Sequence, residues 1–148
     1  MIENNENLIN NIAQPTISNN IVPDCTFCNL DKSKFEVENQ FSYVVSDLHP
    51  VTKLHTLVIP KRHIADFFGL EQIELISIYE LLQETRAKIQ AIDPTVTGFN
   101  IGTNAGTDAG QSVAHAHIHL IPRRNGDISL TINNPNGGVR WSVPNRHT

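Results

Sequence analysis

The sequence is poor in several things at once. Its 148 residues contain two cysteines, one tryptophan and one methionine, and aromatic residues make up 6%. Two cysteines cannot build a disulfide framework. No apolar run approaches the roughly 18 residues that a membrane-spanning helix needs. Positive charge is also scarce: Lys and Arg number 11 against 15 Asp and Glu, for a net charge of −4. Without a basic patch, duplex nucleic acid is not expected as the main ligand. The opening Met1-Ile2-Glu3-Asn4-Asn5-Glu6 lacks the basic and apolar stretches of a secretory signal, so a cytoplasmic setting is expected. In a reducing compartment the two thiols are metal ligands or inert rather than bridged. No internal repeat is evident, and the length suits one domain with a real core.

What the chain does have is histidine in a pattern. His115, His117 and His119 alternate with Ala116, Ile118 and Leu120, between Gly110-Gln111-Ser112-Val113-Ala114 and Ile121-Pro122-Arg123-Arg124. In an extended strand side chains alternate faces, so the three imidazoles are expected on one face, roughly 6.5–7 Å apart, with the apolar set turned into a core. Pro122 is expected to end the pairing because it has no N–H to donate. Histidines on a strand can be purely structural, and a His-rich tract can be a tag. An internal position with an alternating apolar partner set speaks against the tag.

Other segments read as follows. Residues 1–20 are rich in Asn and poor in large apolar side chains, so they are expected to form a flexible tail preceding a domain at 21–148. Cys25-Thr26-Phe27-Cys28 can place two thiolates on one zinc ion, although a redox pair or coincidence gives the same spacing. Lys34 to Gln40 reads as a short strand and turn, and Phe41 to Asp47 as a strand. After a turn, His55-Thr56-Leu57-Val58-Ile59-Pro60 reads as an antiparallel partner. Ile64 to Phe68 reads as a short helical or irregular bridge. From Leu70 to Ile92 the residues Leu70, Ile73, Ile76, Leu81, Leu82 and Ile89 form a stripe at near-helical spacing, with Glu71, Glu74, Glu84 and Lys88 elsewhere. Asp93-Pro94 ends that helix. Thr97 to Thr103 is a strand, Asn104 to Ser112 a Gly-rich loop and Val113 to Ile121 the histidine strand.

The run Gln-Ser-Val-x-His-x-His-x-His-Leu resembles the signature of the histidine triad family of nucleotide hydrolases and transferases. The resemblance extends from about Cys25 to Trp141. Gly98 to Ser112 is similar to the phosphate-binding loop preceding the triad, and Asp47 to Val51 and His55 to His63 also match. Lys53-Leu54 stands where family members commonly carry Pro-Gly. The block from Gly126-Asp127 to Arg140-Trp141 resembles the tail of bacterial members that hydrolyse dinucleoside polyphosphates, with a longer connection at Ile128 to Asn133.

This resemblance implies an α+β fold: a HIT-like antiparallel sheet of about five strands with one long and one short helix. It implies His117 as nucleophile on an α-phosphate, forming a nucleotidyl-histidine intermediate, with His119 and Ser112 as the other catalytic groups. Asp47 would meet the ribose hydroxyls, and Asn104, Gly110 and Gln111 would bind the substrate. Asp47 could equally form an Asx-turn before Pro50, Ser112 cap a turn, and Asn104 tolerate a left-handed conformation. Cys25, Cys28, His63 and His115 would close a structural zinc site. Members of the family usually pair as homodimers, and Trp141 could approach the partner's site, although burial in the core is the more common fate of a Trp. The expected reaction is hydrolysis of a nucleoside phosphate anhydride such as a diadenosine polyphosphate. Nucleoside phosphoramidate hydrolysis, phosphorolysis and a nucleotide-binding regulatory module with little turnover are the alternatives.

Overall fold

The computed structural model describes residues 20–128. The expected tail, but for Asn20, and the block containing Arg140 and Trp141 lie outside the described residues. Five strands form one antiparallel sheet: β1 (Val37–Glu38), β2 (Ser42–Ser46), β3 (Thr56–Pro60), β4 (Val96–Gly102) and β5 (Ile118–Arg124), in the order β1-β2-β3-β5-β4. One α-helix, α1 (Gln72–Ile92), links β3 to β4. The expected short helix is a three-residue 3-10 turn, Phe67–Gly69. No helix among the described residues is long and apolar enough to cross a membrane.

Alternation along the strands divides the core. Val44, Val58 and Ile118 are in register across β2, β3 and β5 and pack with Ile78 and Leu81 of α1. On the opposite face Tyr43, Val45, Leu57 and Ile59 pack with Phe27, Leu30 and Phe35 from the N-terminal segment. His119 is paired with Leu57 and therefore shares this second face, away from the helix.

The helix buries most of the expected stripe, and further residues beside it. Ile73, Ile78, Leu81 and Ile89 are buried, whereas Ile76 is half-buried. Glu74, expected on the solvent side, is fully buried. The cause is Arg62, whose guanidinium forks onto both carboxylate oxygens at 2.6 and 3.2 Å while also donating to the Gly69 carbonyl. Ser77 is buried too, held by Asn39 and by the Ser42 hydroxyl at 2.8 Å. Polar anchors at both places satisfy what an apolar stripe would have excluded.

The two prolines act differently from each other: β3 ends at Pro60, whereas Pro122 does not end β5. β5 begins only at Ile118, because the β3 ladder stops where it would meet Pro60. The Pro60 carbonyl accepts from His115 Nε2 at 2.8 Å, so its N-substituted side also faces β5 and offers no donor there. Residues 113–117 are bent instead, with Ala116 N–H bonded to Ile64 O at 2.8 Å. Conversely, Pro122 does not end the pairing with β4, which continues to Arg124. The Pro122 carbonyl accepts from the Thr52 hydroxyl at 2.7 Å, so its missing N–H points away from β4 and breaks nothing in that ladder.

Candidate active site and metal cluster

Because residues 113–117 are bent, the three triad imidazoles have different neighbourhoods rather than one shared row. His115 is fully buried and turned toward the N-terminal cysteines. Its Nδ1 is 3.3 Å from Cys25 Sγ and 3.6 Å from Cys28 Sγ, and Cys28 Sγ is 3.3 Å from His63 Nδ1. The ligand atoms of Cys25, Cys28, His63 and His115 all lie within 4.8 Å of one another. A tetrahedral zinc ion with ordinary bond lengths needs sulfur–nitrogen separations of about 3.6 Å, so the cluster fits.

The tautomer fits as well. The Pro60 carbonyl can only accept, which fixes the His115 proton on Nε2 and leaves the Nδ1 lone pair facing the sulfurs. Burial, reinforced by His63 and His117, pulls the His115 imidazole down to about 4, so it is neutral at pH 7. Burial, and then Cys25 beside it, push the Cys28 thiol above its ordinary value. A cation between the sulfurs would reverse that shift, since coordination deprotonates a thiol.

His117 belongs to the next group. Its Nδ1 donates to the His115 carbonyl at 2.8 Å, which leaves the lone pair on Nε2. The Phe27 ring stands edge-on at 5.1 Å and the His119 ring at 5.3 Å. The His117 carbonyl in turn accepts from the Thr103 hydroxyl at 2.7 Å. One carbonyl thus joins the two groups: His115 supplies both a metal-facing nitrogen and the acceptor that sets the His117 tautomer.

A third group gathers around His119. His55 Nε2 lies 3.0 Å from His119 Nδ1 and 3.3 Å from Asp47 Oδ2, which is itself 3.8 Å from His119 Nδ1. The other oxygen of Asp47 accepts the His49 N–H at 2.8 Å, so the Asx-turn does form, and the carboxylate faces the imidazoles at the same time. His55 and Phe27 were not among the residues singled out from sequence. A signal for His55 existed: it stands two residues before Leu57, so strand alternation puts it on the face of His119.

The loop carries the remaining candidates. Gly106 and Gly110 have φ of +93° and +90°, which glycine adopts without strain. Gln111 accepts from Gly106 N–H at 2.8 Å and donates to the Ala65 and Val113 carbonyls, so it clamps the loop against the segment after β3. Asn104 reaches the Gly110 carbonyl at 3.4 Å, and Ser112 is exposed at the loop's end. The departure at Lys53-Leu54 leaves a mark: Leu54 has φ of +72°. Its side chain packs beside Ile89, Val96 and Leu120.

Residues 31–126 match the model of the HIT domain. An adenosine 5'-monophosphoramidase of Saccharomyces cerevisiae is 31% identical over 115 residues, covering 75% of this chain and 70% of that one. An asymmetrical bis(5'-nucleosyl)-tetraphosphatase of Schizosaccharomyces pombe is 34% identical over 103 residues, 66% of this chain and 56% of that one. Several uncharacterised HIT-like proteins match at comparable identity. Among solved structures, a Zn-bound histidine triad family protein from Mycobacterium smegmatis superposes with a TM-score of 0.65 at 31% identity, covering 74% of this chain and 81% of that chain. With the matched domain spanning the sheet, the helix and the triad histidines His115, His117 and His119, the chain belongs to the histidine triad (HIT) family.

Proposed function

We propose that the protein hydrolyses a nucleoside phosphate linkage through a nucleotidyl-His117 intermediate. The observation that carries this reading is the His117 Nδ1–H bond to the His115 carbonyl, which leaves the lone pair on Nε2, while the His117 carbonyl is held by Thr103 at the start of the glycine-rich loop. A neutral imidazole so held is a competent nucleophile. Its Nε2 attacks the α-phosphorus, the bond to the leaving group breaks, and that group departs with a proton. Water then attacks the phosphorus, the phosphorus–nitrogen bond breaks, and His117 regains its lone pair. His119 and Ser112 donate to the phosphoryl oxygens and leaving group, and Asn104 and Gly110 shape the phosphate side, with Gln111 holding the loop. Asp47 retains lone pairs for a ribose hydroxyl, and Leu48, 87% exposed beside it, offers apolar surface to a base.

A phosphate anhydride such as a diadenosine polyphosphate is the favoured linkage, and the similarity to a tetraphosphatase supports it. The similarity to a monophosphoramidase supports a phosphoramidate as the second reading. The same nucleophile serves both, so a product assay on a panel of dinucleotides and phosphoramidates decides. Cys25, Cys28, His63 and His115 would hold zinc, which supplies fold stability and no open coordination position. A homodimer through the seven-residue edge strand β4, where Ile101 is 54% exposed, is part of this proposal.

The test is a trapping experiment. With label in the nucleoside monophosphate part, an alkaline quench should recover labelled protein, because a phosphorus–imidazole bond is acid-labile. Label on the leaving group alone should leave the protein unlabelled. Normal products with no labelled protein would mean direct attack by water, and the role of His117 would fall. Binding without any product would favour the regulatory reading.

A further inference from the structure

Among the described residues two clusters have metal-site donor types, and backbone groups distinguish them. Besides the cysteine cluster, the ligand atoms of Asp47, His55 and His119 lie within 4.8 Å of one another, the composition of a two-histidine, one-carboxylate metal site. The main-chain N–H of Val51 points at His55 Nδ1 at 3.0 Å. An amide N–H only donates, so Nδ1 must hold a lone pair and the proton of the neutral ring sits on Nε2. That proton faces His119 Nδ1 and the Asp47 carboxylate, both acceptors. Two N–H groups cannot meet head-on at 3.0 Å, so His119 Nδ1 accepts. Neutral His119 then carries its own proton on Nε2.

We propose that the Val51 amide, acting through His55, sets the polarity of this chain, making His119 an Nε2–H donor and closing the Asp47–His55–His119 cluster to metal ions. The catalytic half of this statement rests on the function proposed above, in which His119 donates to a phosphoryl oxygen. Val51 and His55 are positioning residues here, since neither has to touch the substrate. The metal half follows from the same proton. A cation at His55 Nε2 would displace that hydrogen to Nδ1, where it would meet the Val51 N–H. His115 is the mirror image: a carbonyl takes its Nε2–H, and its lone pair faces the cysteines. Histidine beside opposite backbone partners thus serves a proton chain in one cluster and a cation in the other.

The experiment reads ring nitrogens directly. The full-length chain, labelled with nitrogen-15 in histidine and loaded with zinc, is examined by long-range proton–nitrogen correlation near neutral pH without substrate. His55 and His119 should both show the proton on Nε2. His119 with its proton on Nδ1 overturns the proposal. Val51→Pro removes the directing N–H and should give His119 a measurable population of the Nδ1–H form. If that variant does not fold, His55→Glu, which offers His119 only an acceptor, should convert His119 to Nδ1–H. An unchanged His119 signal in a folded variant also overturns the proposal. Titration of the wild-type chain with zinc should stop at one ion per chain with the His55 and His119 signals unmoved. A second ion shifting them would sink the metal half. A chain that turns over no nucleotide fails the catalytic reading yet leaves these tautomers standing, and reversed tautomers in an active enzyme do the opposite.

Discussion

At the scale of single residues, two substitutions separate chemistry from backbone strain. His117→Ala should lower turnover by orders of magnitude while nucleotide binding largely survives, because the loop and Asn104 are untouched. Single-turnover kinetics beside equilibrium binding checks this, and near-normal turnover would remove the covalent mechanism. Leu54 occupies a left-handed conformation that costs an L-residue about 1–2 kcal/mol. It offsets that cost by packing beside Ile89, Val96 and Leu120. Leu54→Ala keeps the strain and loses the packing, whereas Leu54→Gly loses both. The glycine variant should therefore be the more stable of the two by about 1 kcal/mol in urea unfolding, inverting the usual order. An alanine variant at least as stable would mean the strain is absent. The triad spacing, the Cys-x-x-Cys turn and the missing Pro-Gly were all legible from residue types. Strand alternation could place His55 on the face of His119, but its role and that of Val51 were not legible, because they depend on which ring atom faces which backbone group.

At the scale of elements, sequence reading located four of the five described strands to within a few residues, began the histidine strand five residues too early, and found the long helix from its periodicity. It failed where a partner overrode local character. Glu74 looked like a solvent-face residue because nothing nearby in sequence announces Arg62, which reaches it from the segment after β3. Its side chain is 1% exposed. Arg62→Leu would strand a buried carboxylate, and breaking such a pair costs about 3–5 kcal/mol. Removing both partners, Arg62→Leu with Glu74→Leu, should recover most of that loss in the same unfolding measurement. A double variant as unstable as the single one would show that the guanidinium matters through its bond to Gly69 rather than through Glu74. The prolines teach the related point that a missing donor matters only on the side where a neighbour asks for it. Strand sequence alone does not reveal that side.

At the scale of the whole molecule, the cysteine cluster joins the N-terminal segment to the stretch leading into β5. About one zinc per chain is expected by elemental analysis, and Cys28→Ser should lose the metal together with thermal stability. For a chain of this length each 1 kcal/mol lost lowers Tm by about 3–4 °C. A metal-free preparation melting with the metal-loaded one would leave the cysteines without a structural role.

The strand order carries a consequence for how the molecule comes into being. Among the described strands β5 comes last in sequence yet lies between β3 and β4, and β4 is bonded to none of the others. During synthesis the sheet therefore waits for its final strand: until Ile118 to Arg124 leave the ribosome, β4 has nothing to pair with and β3 shows an open edge. The contacts that close the sheet, such as Val58 with Ile118, join points about sixty residues apart, which makes assembly a late and comparatively slow event. The triad histidines ride on or just ahead of this strand. A nascent or truncated chain accordingly has no site to misuse, and competence to react arrives in the same step as the finished fold.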